Sequence, residues 1–490
     1  MTAEHPSVTS DAISPPLRLS FAMLMLMLML AALDQTIVST ALPSIARDLQ
    51  GASRMSWVFS AYLIASTVAV PLYGRLADLH GSKPMLLAAL AMFLFGSALC
   101  GISRDMTELI LARGVQGAGG GGLLTLAMMS VVRAFPEASR ARLQGLLGAT
   151  YGLSTLAGPL VGGFLVEHLS WRWAFFINMP LGVLALTLLA LKFPHRPPTQ
   201  RGRLDYVGAV LLCGALISLL LSTQRESAAE PAVSTSVYAA VGLGLAALFV
   251  WAQARIGNPL LPLSLFSQRA FSAAMLLSAA SGLMLFAVVV FMPLYFQMQR
   301  GLSPADSGWH LMPLMAGITL ASMGCGRMLS ATGRVRDTAI VACALAGAAF
   351  AVLGVVLRDP AASLAVASAC LVPLGMGIGA LFPLVAVVAQ SAAPMRLMGI
   401  ATASPVMFRS VAGAVGVSML AALFDHAMAY ELALHLAGTL PQSLFGVALS
   451  KVFWTVAGVS LLAGCAAWAM PATLARRSGG GAASAPPARA

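Results

Sequence analysis

Long apolar runs alternate with short polar stretches along the whole chain. Fourteen such runs are found, at roughly 18–42, 55–73, 84–103, 107–132, 143–166, 173–192, 205–222, 235–254, 271–297, 309–329, 338–357, 362–388, 397–423 and 448–470. Each is close to the ~20 residues an α-helix needs to cross a bilayer. Backbone polar groups in hydrocarbon must be satisfied internally, which leaves helices or a closed barrel. The runs lack the two-residue alternation of barrel strands. The pattern predicts an all-α membrane protein with 14 transmembrane helices.

Composition narrows the class. Of 490 residues, 59% are apolar and 9% charged, against about 45–50% and about 25% in soluble domains. A soluble enzyme, a secreted disulfide scaffold and a disordered chain are excluded. The cysteines at 100, 213, 325, 343, 370 and 465 lie in apolar stretches without a C-x-x-C pair, so they indicate neither a zinc site nor a disulfide framework. Residues 1–16 carry no Lys or Arg, and no A-x-A site follows the Met/Leu run at 21–30. The start therefore reads as a cytoplasmic tail, not a secretory signal. Residues 471–490, rich in Ala, Gly, Pro and Ser, read as a disordered tail.

The net charge of +12 comes from 29 Lys and Arg against 17 Asp and Glu. With the N-terminus inside, 19 basic residues fall in cytoplasmic segments, 8 in outer loops, and Arg113 and Arg409 within spans. This bias predicts that both termini are cytoplasmic. The excess charge sets topology, and no nucleic-acid partner is implied.

The chain also repeats itself. Gly74-Arg75-Leu76-Ala77-Asp78-Leu79-His80-Gly81 is echoed by Gly326-Arg327-Met328-Leu329-Ser330-Ala331-Thr332-Gly333, at an offset of 252. Arg142-Leu143-Gln144-Gly145 is echoed by Arg396-Leu397-Met398-Gly399 at 254, and Ala157-Gly158 by Ala412-Gly413 at 255. Similar offsets at equivalent helix positions indicate duplication. The predicted organisation is a tail at 1–16, an N-terminal six-helix bundle at 17–200, two inserted helices at 201–258, a C-terminal six-helix bundle at 259–470 and a tail at 471–490. Parallel repeats with substrate held between them belong to alternating-access carriers.

Four motifs carry candidate chemistry. Asp34, in Leu33-Asp34-Gln35-Thr36, lies ~24 Å into the first span. A carboxylate at that depth is a functional candidate by default, and desolvation favours its neutral form. Arg113, in Arg113-Gly114-Val115-Gln116-Gly117, falls at a similar depth and would oppose that effect if close. In the fifth span, Gly148, Gly152, Gly158-Pro159 and Gly162-Gly163 give close packing and a bend. In the loop after the second span, Gly74, Arg75, Asp78, Gly81 and Lys83 make a tight turn with an acid able to pair across the bundle, a candidate conformational latch.

These motifs resemble the major facilitator superfamily and, within it, the fourteen-helix drug:proton antiporter family, over about residues 20–470. Ser82 departs from the loop motif, where a basic residue is usual, and the second copy has Ser330 in place of the acid. The resemblance implies a proton-coupling role for Asp34 and Arg113. It also implies export by antiport, because the Gly158-Pro159 motif accompanies antiporters and is generally absent from symporters. The implied setting is a bacterial inner membrane, with small-molecule substrates and the lipid bilayer as partners and no cofactor beyond the proton as coupling ion. A periplasmic adaptor and outer-membrane channel are compatible with it, though no segment marks them.

Arg409 lies ~18 Å from the cytoplasmic side and either contacts substrate or bonds backbone in a broken helix. Gln35, Gln116 and Arg409 are the candidates for the substrate cavity. Asp34 is the one deep acid, so substrates are expected to be apolar, neutral, zwitterionic or singly charged. The tryptophans of Trp171-Arg172-Trp173 read as an interfacial belt. No phosphate loop, HExxH or nucleophile elbow is present, and the scattered histidines form no metal set, so an enzyme is not expected. Alternatives are a dedicated exporter of one endogenous metabolite or siderophore, a proton-linked uptake carrier, a channel, and a non-transporting sensor or scaffold.

Overall fold

A computed structural model describes residues 15–51, 54–194, 204–222, 232–359, 362–434 and 441–473. The expected tails fall almost wholly outside these residues. The described chain is helical, with one isolated bridge between Arg334 and Thr473. The helices are α1 (Pro15–Asp48), α2 (Met55–His80), α3 (Ser82–Ile102), α4 (Met106–Ala134), α5 (Glu137–His168), α6 (Trp173–Phe176), α7 (Asn178–Lys192), α8 (Tyr206–Leu221) and α9 (Ala232–Gln253). They continue as α10 (Arg269–Leu294), α11 (Pro304–His310), α12 (Met312–Thr332), α13 (Val335–Val356), α14 (Leu364–Ser391), α15 (Met398–Leu434) and α16 (Pro441–Ala466). Every apolar run read from the sequence falls on a helix.

Among the described residues, 11 helical stretches are long and apolar enough to cross a membrane. The α8 helix is apolar but only 16 residues long. Helices α5 and α12, rich in Gly, Ser and Thr, are not among the 11. Their small and polar residues face neighbouring helices, which lowers apolarity without exposing them to lipid.

Helices α1 to α4, α6 and α7 pack mainly on one another, and so do α10 and α12 to α16; α5 packs on α1 and as extensively on α12. The buried apolar side chains divide the same way. One group includes Leu28, Phe93 and Leu126, and another includes Phe271, Leu314 and Phe350. The α8–α9 hairpin packs on itself and touches α2 and α15. Its base is tied by Asp205, which accepts from Gly208 N at 2.7 Å and from Gln253 Nε2 at 2.7 Å.

The two groups of helices meet where α5 crosses α12 and α2 crosses α15. Each crossing is made by a segment of one repeat against a different segment of the other. A Cβ on Gly74 would stand 2.7 Å from Gly399 O, and a Cβ on Gly326 would stand 2.9 Å from Gly145 Cα. Glycine is required there because backbone meets backbone. Gly74 and Gly326 are the repeated loop glycines, and Gly399 and Gly145 are the repeated R-L-x-G glycines, so the crossings exchange roles. Both lie at the end of the bundle carrying the α2–α3 turn, hereafter the latch end. That turn is a single residue, Gly81, whose φ of 92° favours glycine. Gly333, its counterpart, ends α12 with φ 66°.

Candidate functional site

Span 6 divides at Ile177 into α6 and α7. Pro180 has no N–H for the Phe176 carbonyl, which weakens the helix there. The break sets Asn178 at the start of α7, facing the middle of α1. Asp34 extends from α1 to meet it, and Arg113 and Gln116 come from one face of α4, three residues apart.

The structure brings these groups into direct contact. Arg113 Nη1 donates to Asp34 Oδ2 at 2.6 Å, Gln116 Nε2 donates to Asp34 Oδ1 at 2.7 Å, and Asn178 Nδ2 donates to Oδ1 at 3.0 Å. Arg113 is fixed further by Gln116 Oε1 at 2.8 Å, by Val58 O at 3.2 Å and by the Tyr62 ring 4.3 Å beneath it. Asn178 is oriented by Ser97 Oγ at 3.0 Å, and Ser97 donates to Phe175 O at 2.9 Å. Asp34, Arg113 and Gln116 are fully buried. A buried pair of this kind is compensated only when its remaining hydrogen-bonding capacity is met; the carboxylate accepts from three side chains, while Arg113 Nη2 is left without a hydrogen-bond partner. The network lies wholly within α1–α7 and includes none of the residues at the two crossings.

Asn178 was not singled out from sequence. Replacing Asn178 by Leu removes a donor to a charged acceptor and is expected to lower stability by about 1.5–3 kcal/mol. Thermal unfolding in detergent measures this, and an unchanged midpoint would show that Asn178 does not hold Asp34.

Beside the network, between the two groups of helices, lies a cavity of about 120 Å³. Gln35, Ser66, Thr67, Tyr151 and Arg409 supply its polar wall, and Leu28, Leu124, Phe286, Phe382 and Val406 are among its apolar residues. Of the three candidates for the substrate cavity, Gln35 and Arg409 line this space. Gln116 does not line it: its amide is committed to Asp34 and Arg113. Helix α15 runs unbroken through Arg409. The guanidinium lies 4.5 Å from the centre of the Phe382 ring, which removes the broken-helix alternative.

At the latch end Asp78 is fully buried and accepts from Arg133 Nη2 at 2.6 Å, from Gly399 N at 2.8 Å and from Ile400 N at 3.4 Å. The last two are donors in the first turn of α15, which have no partner within their own helix. Asp78 thus caps a helix of the opposite group. Lys83 takes no part in this contact; its Nζ donates to Phe193 O at 2.8 Å. Arg75 is buried nearby. Ser330, which replaces the acid in the second copy, accepts from Arg142 N at 3.0 Å across the other crossing. It makes an uncharged contact across that crossing, three residues before the position that matches Gly399.

The sequence profile of the Major Facilitator Superfamily matches residues 24–417. The chain belongs to the Major Facilitator Superfamily. It is 33% identical over 405 residues to the multidrug transporter protein MdtP of Bacillus subtilis, covering 82% of this chain and 74% of that one. It is 32% identical over 303 residues to multidrug resistance protein 3 of the same organism, covering 61% of this chain and 59% of that one. The solved proton:xylose symporter XylE superposes with a TM-score of 0.67 at 15% identity, over 93% of this chain and 97% of that one, and shares the fold.

In this superfamily member the glycine motif of α5 splits between two partners. Gly148 and Gly152 meet Ser322 and Thr319 of α12, while Gly158 and Gly162 meet Thr36, Ile37 and Thr40 of α1. Gly163 has nothing within 4 Å of a built Cβ. Pro159 lies within α5, and its side chain is outside the described residues. The tryptophan pair also differs from the expected belt. Trp171 is buried and its indole donates to Asp48 Oδ2 at 2.8 Å, beside Arg172 Nη1 at 2.9 Å. The indole hydrogen bond and then the guanidinium hold the Asp48 carboxyl below its usual range. Trp173 is exposed, as a belt residue would be.

Proposed function

We propose that this transporter is a proton-coupled antiporter that exports small, largely apolar compounds from the cytoplasm by alternating access. In this reading it crosses a bacterial inner membrane with fourteen helices, both termini and the latch end facing the cytoplasm. The moving bodies are residues 17–200 and 259–470, and 201–258 form an inserted hairpin. The observation that carries the reading is the position of Asp34. Its carboxylate sits in a closed network behind α1, while Gln35, the next residue and ~100° around the helix, lines the cavity.

Proton and substrate therefore act on the same helix at different faces. A proton on Asp34 removes the charge that Arg113, Gln116 and Asn178 are arranged to hold, so α1 is bound less tightly to α4 and α7. Helix α1 also touches α5 through Gly158 and Gly162, and α5 reaches α12 through Gly148 and Gly152. A change at Asp34 thus has a packed route to the crossing. Coupling requires that proton and substrate prefer different states.

The test is transport in proteoliposomes with imposed gradients. Uptake into vesicles whose lumen is acidic relative to the bath, with the exporting direction inward, is expected to rise well above the no-gradient rate. No stimulation for any ligand the chain binds would overturn proton coupling.

A further inference from the structure

Among the described residues, one charged side chain lines the central cavity, and no counter-ion pairs with it. Arg409 projects from the middle of α15 between two adjoining cavities that share Met128, Phe382 and Val406 as well. No acid lines either of them. Among the described residues Arg409 forms no ion pair and no side-chain hydrogen bond; its guanidinium lies against the face of Phe382, with Tyr151 nearby. The buried acids that face the interior are already committed, Asp34 to Arg113 and Asp78 to Arg133. On its own helix the nearest acid is Asp425, 16 residues away, or ~24 Å along the axis.

A guanidinium keeps its charge at any physiological pH and offers five donors in a planar fork that fits a carboxylate. A cation within a membrane bundle is costly unless it faces a partner or a water-filled space. The Phe382 face satisfies one side of the plane and leaves the edge toward the cavity. That edge is bordered by Tyr151, Gln35 and Ser410, and the rest of the wall is apolar and aromatic.

We infer that the cavity selects monoanionic aromatic compounds, with the acid group held by Arg409 and the ring body against Phe286, Phe382 and Val406. This rests on the export reading for the direction of transport, but the binding itself does not depend on coupling. It has a further consequence for energetics. Exchanging inward protons for an outward anion moves one more net charge per cycle than exchanging them for a neutral molecule. An inside-negative potential therefore drives anion export more strongly than neutral export.

The test uses three probes of one shape: 1-naphthaleneacetate, 1-naphthaleneacetamide and 1-(1-naphthyl)ethylamine. Binding is read by calorimetry on the full chain in lipid nanodiscs, which needs no variant. The acetate is expected to bind roughly tenfold or more tightly than the amide, from its charge-assisted hydrogen bonds, and the amine more weakly still. R409Q is expected to erase the acetate preference by lowering acetate affinity far more than amide affinity, and R409K to keep part of it. Equal binding of acetate and amide by the unmodified chain, binding of none of the three, or an acetate preference that survives R409Q would each overturn the inference. If R409Q does not fold, R409K and the unmodified chain still decide the matter. An acetate preference without stimulation by a pH gradient supports the anion site and rejects proton coupling. Gradient-stimulated transport of amide and acetate alike, with equal affinities, does the reverse.

Discussion

Asp34→Asn is expected to abolish transport driven by a pH gradient while counterflow exchange of labelled substrate continues. Exchange needs only that the loaded carrier change its facing, whereas accumulation needs a site that is protonated on one side and released on the other. Asparagine has no proton to exchange, and it presents an amide to donors arranged around a carboxylate. It also leaves Arg113 buried without its charge partner, and breaking such a pair by removing one member costs about 3–5 kcal/mol. A fall in folded yield is therefore expected alongside the loss of coupling, and the two must be separated. The double variant Asp34→Asn/Arg113→Gln removes both charges, so it should recover much of the yield while coupling stays absent. Both readouts come from one preparation: thermal stability in detergent, and gradient-driven against counterflow transport in proteoliposomes. Continued accumulation against a gradient by Asp34→Asn would remove Asp34 from the coupling role. Loss of counterflow in the stable double variant would make its role structural.

The residues that could be read from the sequence were those made scarce by the membrane. Hydrocarbon permits few charges, so Asp34, Arg113 and Arg409 stood out against long apolar runs, and depth arithmetic placed the first two near each other. The helices were legible for the same reason, since each run must satisfy its own backbone. Neutral amides carry no such signal. Asn178 sits in an apolar run two residues before Pro180, beside tryptophans that suit a membrane interface, and only the local break shows that it faces Asp34. An Asn-x-Pro inside an otherwise apolar run was the available clue. Gln116 had a clearer one, being three residues from Arg113 and so on the same helix face. Arg133 was counted among the charges that set topology, because a basic residue at a helix end usually does that. Its pairing with Asp78 depends on how α2 and α4 cross, which no single-helix pattern encodes. The repeat was visible as matched glycines, but not that each loop glycine meets the R-L-x-G glycine of the other half.

That exchange of partners makes Gly399→Leu the sharpest test of the conformational cycle. A Cβ on Gly399 would overlap the Gly74 carbonyl and stand 2.8 Å from Asp78 Cγ. The obstructing atoms are backbone and a carboxylate engaged with Arg133, so they cannot swing aside as the end of a flexible side chain would. Overpacking of this kind costs about 1–3 kcal/mol. The cost applies only to the arrangement in which α2 and α15 touch, and the arrangement open at the latch end is spared. The equilibrium should therefore move toward that open state by about 5- to 150-fold, with transport falling as the closed state becomes rare. Labels at His80→Cys and Met395→Cys, exposed positions on either side of the contact, would report a longer distance in the variant. Gly145→Leu should act alike, because its Cβ would stand 2.6 Å from Ser322 O at the companion crossing. Gly324→Leu is the control, since a Cβ there meets nothing within 4 Å, and it should change neither distance nor rate. If Gly399→Leu leaves the label distance and the transport rate as they were, the α2–α15 contact is not part of the cycle. If Gly399→Leu opens the latch end but Gly145→Leu does not, the two crossings are unequal. The charged cap made by Asp78, and not the glycine packing they share, would then decide which way the carrier faces.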